Sequence, residues 1–264
     1  MKSFPKYERP PIIELVLGVQ FSPIPGFTSG HSGWFWNEHL GPEWSASDAP
    51  PLPEQTESFG PPVTQSMRFE LHSAISPRLM AEHESGTKLI QVQGSRFHYN
   101  WKKRDSSYPH YETVFEEFNQ HLQGFRLFVE TKAKLAAVTL NQWEITYLDS
   151  VPKGSLWNDP SEWPDVFPAL FPHVEALDGM HAEQLKSELI YEISPKRGRL
   201  NISGSLAMVN DEQTLLVQMT ARGPILTESR DDLDSIMRVG HDAIGTAFDR
   251  VTSSKAKDYW GPLL

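Results

Sequence analysis

The chain predicts an α+β fold: one or two antiparallel sheets from a duplicated β…ββα unit, each half backed by one long helix. Three observations predict it. Segments with two-residue alternation follow one another as meanders instead of alternating strictly with helices. Two long stretches, one mid-chain and one near the C-terminus, carry apolar residues at helical spacing. The lead-ins to these stretches resemble each other, LIQVQGSR (89–96) beside LLVQMTAR (215–222), as IIELVLGVQF (12–21) resembles WEITYLD (143–149).

Residues 12–21 form the first strand. Ile13, Leu15, Leu17, Val19 and Phe21 alternate onto one apolar face, while Ile12, Glu14, Val16, Gly18 and Gln20 take the other. Pro10 and Pro11 bar an earlier paired start. A long excursion follows over 22–76, rich in the chain's 21 prolines. Within it HSGWFWNEHL predicts a short helix and APPLPEQTESFGPP an extended coil, a place for a lid or a partner contact.

Residues 78–84 and 88–101 predict a hairpin turning at Ser85-Gly86, with Gly94 as a bulge. In its second strand Phe97, Tyr99 and Trp101 share one face, and Arg96, His98 and Asn100 share the other. The first long helix covers 108–129, with Pro109 in its first turn and Ser106 or Ser107 as cap. A strand over 135–149 opens the second half, with Glu144, Thr146 and Leu148 opposite Trp143, Ile145 and Tyr147. A short helix at 161–171, strands at 185–194, 198–209 and 213–222, and a helix over 230–255 complete it. His241 falls near the apolar stripe of that helix and reads as a satisfied core histidine. The halves, 1–134 and 135–264, meet at ETKAK (130–134), a link too short for a free hinge, so they pack as one unit.

With 24 basic against 34 acidic residues, the net charge of −10 argues against a nucleic-acid partner. The absence of cysteine excludes disulfides, thiol nucleophiles and thiolate metal sites. No run reaches the ~18 apolar residues of a spanning helix and no apolar leader opens the chain, so a cytoplasmic protein away from membranes is expected. None of the ten histidines stands in an HExxH pattern, and no GxSxG, P-loop or GxGxxG occurs, so no metal and no cofactor are expected.

The candidate ligand-binding residues are Glu14, Arg96, His98, Asn100, Trp101 and Glu144. Glu14 is a carboxylate inside an apolar strand, and such a group must be paired. Arg96 is its expected partner, Glu144 its counterpart in the second half, and Trp101 an aromatic wall beside the polar row Arg96, His98, Asn100.

Four motifs carry a resemblance: PPIIELVLGVQF, RFHYNWKK with YPHY, WEITYLDSV, and GHDAIGTAFDRVTSSKAKDYWG. In this order they resemble a sporadically distributed bacterial family of uncharacterised proteins of similar length. Asp149-Ser150 departs from the Asn-His that family members tend to show there. The resemblance implies a bacterial cytosolic protein and brings no catalytic residues. The first functional reading is a non-enzymatic binding protein that recognises a protein partner through the 22–76 excursion and an exposed sheet or groove. A sporadic distribution fits a defence- or toxin-associated module. The alternative is a small-molecule binder or enzyme with its site on the concave sheet face.

Overall fold

The computed structural model describes residues 4–55, 57, 59, 77–104, 107–174, 178, 180, 182–193, 195–225 and 230–263, with the backbone alone at 230–232. In chain order the first half contains β1 (Lys6–Tyr7), β2 (Ile12–Phe21), α1 (Ser29–Phe35), β3 (Trp44–Ala49), β4 (Arg78–His83), β5 (Lys88–Gln93), β6 (Arg96–Lys102) and α2 (Tyr111–Leu127). The second contains β7 (Leu140–Pro152), α3 (Trp163–Val166), β8 (Lys186–Ile193), β9 (Gly198–Val209), β10 (Glu212–Pro224), α4 (Arg230–Val251), α5 (Ser254–Trp260) and β11 (Pro262–Leu263).

Nine strands form one antiparallel sheet in the order β3-β4-β5-β6-β2-β7-β10-β9-β8. The order is symmetric about the β2–β7 seam. Each half contributes its first long strand at the centre and then steps outward through its last, middle and earlier strands, and each ends in a long helix. This is the duplicated β…ββα unit, fused into a continuous sheet. One detail of the repeat is corrected: LIQVQGSR lies mostly on β5, whereas the topological counterpart of β10 is β6.

Alternation assigns the faces. Leu15, Leu17 and Val19 of β2 stand in register with Trp101, Tyr99 and Phe97 of β6 on one side and with Tyr147, Ile145 and Trp143 of β7 on the other. These side chains are buried, Tyr147 partly so. The helix α2 covers β6, and Val114, Phe118, Leu122 and Phe125 are the buried stripe of that helix. The helix α4 covers β7, β9 and β10. It approaches closely because Gly240 has no side chain: a Cβ there would stand 2.4 Å from the Trp143 ring. Each fully buried aromatic on this face contributes about 1.5–3 kcal/mol of transfer free energy.

Several expectations change. Gly94 does not mark a bulge; Gly94-Ser95 is the two-residue turn of the β5–β6 hairpin, so residues 88–101 are two strands. The bulge lies instead between Ile12 and Glu14, and it places Ile12 opposite Asp149 in β7. Helix α2 begins at Tyr111, after Pro109, and its first turn is entered through His110 with φ 70, without a serine side chain as cap. The last helix breaks at Thr252, and the Ser253 hydroxyl caps α5 by accepting from the Ala256 N–H at 3.1 Å. The excursion is partly ordered: α1 forms where a short helix is expected, while Trp44–Ala49 adds the edge strand β3. Residues 60–76 of the excursion lie outside the described residues.

Candidate functional site

The face away from the helices is polar, yet much of it is buried. In-register pairing lines its side chains into rows perpendicular to the strands. One row runs Gln91, His98, Gly18, Glu144, Arg222, Arg199 across β5, β6, β2, β7, β10 and β9. Its neighbour runs Gln93, Arg96, Gln20, Gln142.

Residues 52–55, 57 and 59 lie across the strands above this second row, and side-chain amides hold backbone groups of Leu52, Gln55 and Glu57. Gln93 accepts from the Leu52 N–H at 2.9 Å and donates to the Leu52 carbonyl at 3.0 Å. Arg96 donates to the Pro53 carbonyl at 2.6 Å. Gln20 accepts from the Gln55 N–H at 3.2 Å and donates to its carbonyl at 2.5 Å. Gln142 donates to the Gln55 carbonyl at 2.6 Å and accepts from the Glu57 N–H at 3.1 Å. The Glu57 carboxylate then meets Arg222 at 3.2 Å and Arg199 at 3.4 Å, and the Phe59 ring lies 5.4 Å from the Arg199 guanidinium. The geometry matches strand spacing. Five steps between strands span ~24 Å, and seven residues of extended chain span ~23 Å.

Beneath the segment lies an ionic cluster. Arg222 donates from Nε to Glu144 at 2.6 Å while its Nη1 reaches Glu57, so one guanidinium joins the sheet to the segment. Burial works to raise the Glu144 carboxyl, but His98, Arg222 and Arg96 around it outweigh burial and hold it below the ordinary range. The His98 ring lies over Gly18, where a Cβ would come within 2.4 Å of it. Burial, which Arg96, Arg78 and Arg222 reinforce against the pull of Glu144, depresses His98 to about 4, so its ring is neutral near pH 7.

Among the predicted residues, Arg96, His98 and Glu144 come together. Glu14 does not pair with Arg96. It stands opposite Lys102, nearer the other end of the strand, and accepts from the Asn100 amide at 2.6 Å, and Asn100 in turn accepts from Gln91 at 2.8 Å. Trp101 is no wall of this site, because alternation turns it to the helix-covered face. Sequence reasoning missed Gln20, Gln93, Gln142 and Arg222. Their signal was available: each sits at an inward position of an alternating strand on the polar side.

Asp149 was missed as well. It continues the alternation of Trp143, Ile145 and Tyr147, so the apolar face carries a carboxylate between Tyr147 and the buried Val151. There the sheet, the segment 4–12, the start of α2 and the middle of α4 enclose a cavity of about 1000 Å3. Tyr108 and Tyr147 hydroxyls meet at 3.0 Å, and Tyr147 reaches His241 Nδ1 at 3.0 Å. Tyr111 stacks on the His241 ring with centroids 4.2 Å apart. His241 is therefore a satisfied histidine that also lines a cavity.

Among the described residues no helix is long and apolar enough to cross a membrane. No family model matches the chain, and no curated protein matches it. Among solved structures, the di-domain ARO/CYC StfQ from the steffimycin biosynthetic pathway aligns with 70% of this chain and 74% of its own at 10% identity, with a TM-score of 0.22, a likeness too slight to bear on function.

Proposed function

We propose that this protein is a non-enzymatic binding protein whose polar sheet face recognises an extended, acidic, proline-containing polypeptide. The observation that supports this is the row of amides. Three glutamines from three strands each make two hydrogen bonds to one crossing backbone, and two arginines take the acidic side chain that follows. Backbone bonds give affinity to any extended segment, and the arginine pair adds the preference for a carboxylate. In the chain by itself the occupant is its own segment 52–59, which a partner segment of like chemistry replaces. The sporadic bacterial family that the sequence resembles points to a mobile defence or toxin-associated setting for that partner.

The test uses a fluorescein-labelled peptide PPLPEQTESF, the chain's own residues 50–59. Glu57→Ala in the full-length protein weakens the internal segment. This variant is expected to bind the labelled peptide in fluorescence polarisation, with a scrambled peptide at least about tenfold weaker, the worth of one or two such hydrogen bonds. Adding Gln20→Ala and Gln142→Ala is expected to remove binding while circular dichroism stays unchanged. Equal binding of the scrambled peptide, or no binding by a folded Glu57→Ala chain, overturns the reading.

A further inference from the structure

The cavity on the other face carries chemistry that the peptide reading does not use. Its walls are aromatic: Trp101, Tyr108, Tyr111 and Phe248 line it with Phe4. A volume of about 1000 Å3 accommodates a drug-sized organic molecule. Several charged groups at its rim are already engaged. Lys103 donates to the Pro10 carbonyl at 3.3 Å, Asp249 meets Lys257 at 2.7 Å, and Arg9 donates to the Tyr259 carbonyl at 2.6 Å. Deeper in, the Tyr108, Tyr147 and His241 polar atoms satisfy one another.

Asp149 differs from all of these. It is 4% exposed, lines the cavity, and has no hydrogen-bond or ion-pair partner among the described residues. A buried carboxylate without a donor is costly, and the tyrosines that line the same cavity give it none of their protons. Burial alone pushes its carboxyl up to about 7, as befits an acid held without a counter-charge. A cationic donor seated between the tyrosine faces would satisfy the carboxylate and meet the negative π-surfaces together.

We propose that this cavity is a binding site for a protonated organic amine carried on a flat apolar body, its ammonium group donating to Asp149 while the body packs between Trp101, Tyr108 and Phe248. The site stands apart from the peptide-binding face, on the other side of the sheet, so either can fail without the other.

The experiment is isothermal titration of the full chain at pH 8 with tryptamine and phenethylamine, and with indole-3-propionate and 3-ethylindole as anionic and neutral controls of similar shape. The amines are expected to bind with micromolar dissociation constants. The anion and the neutral control are expected to be weaker by at least about 30-fold, the range of one buried charge-assisted hydrogen bond. Asp149→Asn is expected to lose the amine by a similar factor while remaining folded, and Ile244→Trp, which fills the cavity from α4, is expected to block every probe. Equal binding of amine and carboxylate, amine binding that survives Asp149→Asn, or no amine heat up to about 5 mM, beyond the weakest useful site, overturns the proposal.

Discussion

The two faces of the sheet bury their side chains by different means. On one face, aromatic and branched residues are covered by two helices, and the burial is driven by apolar area. On the other, glutamines, arginines, a histidine and a glutamate are covered by an extended segment that has little apolar surface to offer. Burying such groups is tolerable because the glutamines, the arginines and the glutamate find partners in the segment or in the next strand, while His98 is held neutral. The helix-covered face is therefore damaged chiefly by a misfit in its packing, and the polar face chiefly by a lost partner. Exceptions occur on both faces: Asp149, the Tyr111 hydroxyl and Trp143 Nε1 on the helix-covered side lack a partner among the described residues, and Arg96 Nε on the polar face is buried without one.

The largest expected effect is on the polar face. Arg222→Met strands Glu144, leaves Glu57 to Arg199 alone, and is expected to cost about 3–5 kcal/mol in urea unfolding, as for other broken buried pairs. Replacing both glutamates with glutamine in the same chain is expected to restore much of that loss. Ile145→Ala on the helix-covered face is expected to cost about 2–5 kcal/mol, with no such rescue, since the loss is a cavity. Rescue that failed for Arg222→Met would erase the distinction between the faces.

The pH dependence comes next, and here the faces have opposite signs. His98 is depressed to about 4, against an ordinary value of 6.5, so its contribution to stability is full above pH 6.5 and is lost as pH falls toward 4. Asp149 is raised to about 7 from 3.8, so its contribution is full below pH 3.8 and is lost as pH rises through 7. Each effect is on the order of 3 kcal/mol at its limit. Between pH 4 and pH 7 the two contributions run over the same range with opposite slopes, so in denaturant midpoints His98→Gln is expected to make stability fall more steeply with rising pH and Asp149→Asn to make it rise with pH. If the double variant departs from the sum of the two changes, the two faces are coupled through the sheet.

The smallest effect is local. Gln20→Ala removes both bonds to Gln55 and is expected to cost about 1–2 kcal/mol. Its clearer readout is limited proteolysis, with faster cleavage within residues 50–59 and an unchanged rate elsewhere.

The contrast also explains what the sequence could show. Period-two alternation assigned Leu15, Phe97 and Ile145 to one buried face, because pleating alone decides which side a residue takes. The strands at 198–209 and 213–222 were legible within two residues of their bounds, and the duplication was legible as a pattern. The partner of Glu14 was not legible, since a strand of given phase can slide by two residues along its neighbour without changing faces. Only pairing registers show Arg96 beside Gln20 and Asn100 near Glu14. The hairpin turn at Gly94 hid for a related reason. Across the two-residue turn the alternation changes phase, Gln91 and Gln93 sharing a face with Arg96 and His98, and a bulge within one strand would shift it in the same way. The role of segment 52–59 depends on contacts between residues 35 to 165 positions apart, and no local pattern announces those.

The central seam has a consequence for how the molecule is made. Strand β2 joins its second neighbour, β7, only after more than a hundred further residues have been synthesised. A nascent N-terminal half thus presents a raw hydrogen-bonding margin along Ile12–Phe21 until translation supplies the cover. Such distant pairing slows folding and favours association with a second nascent chain in the interval. The bipartite sheet makes the order of synthesis a hazard for the ribosome-bound intermediate, one that ends when β7 docks.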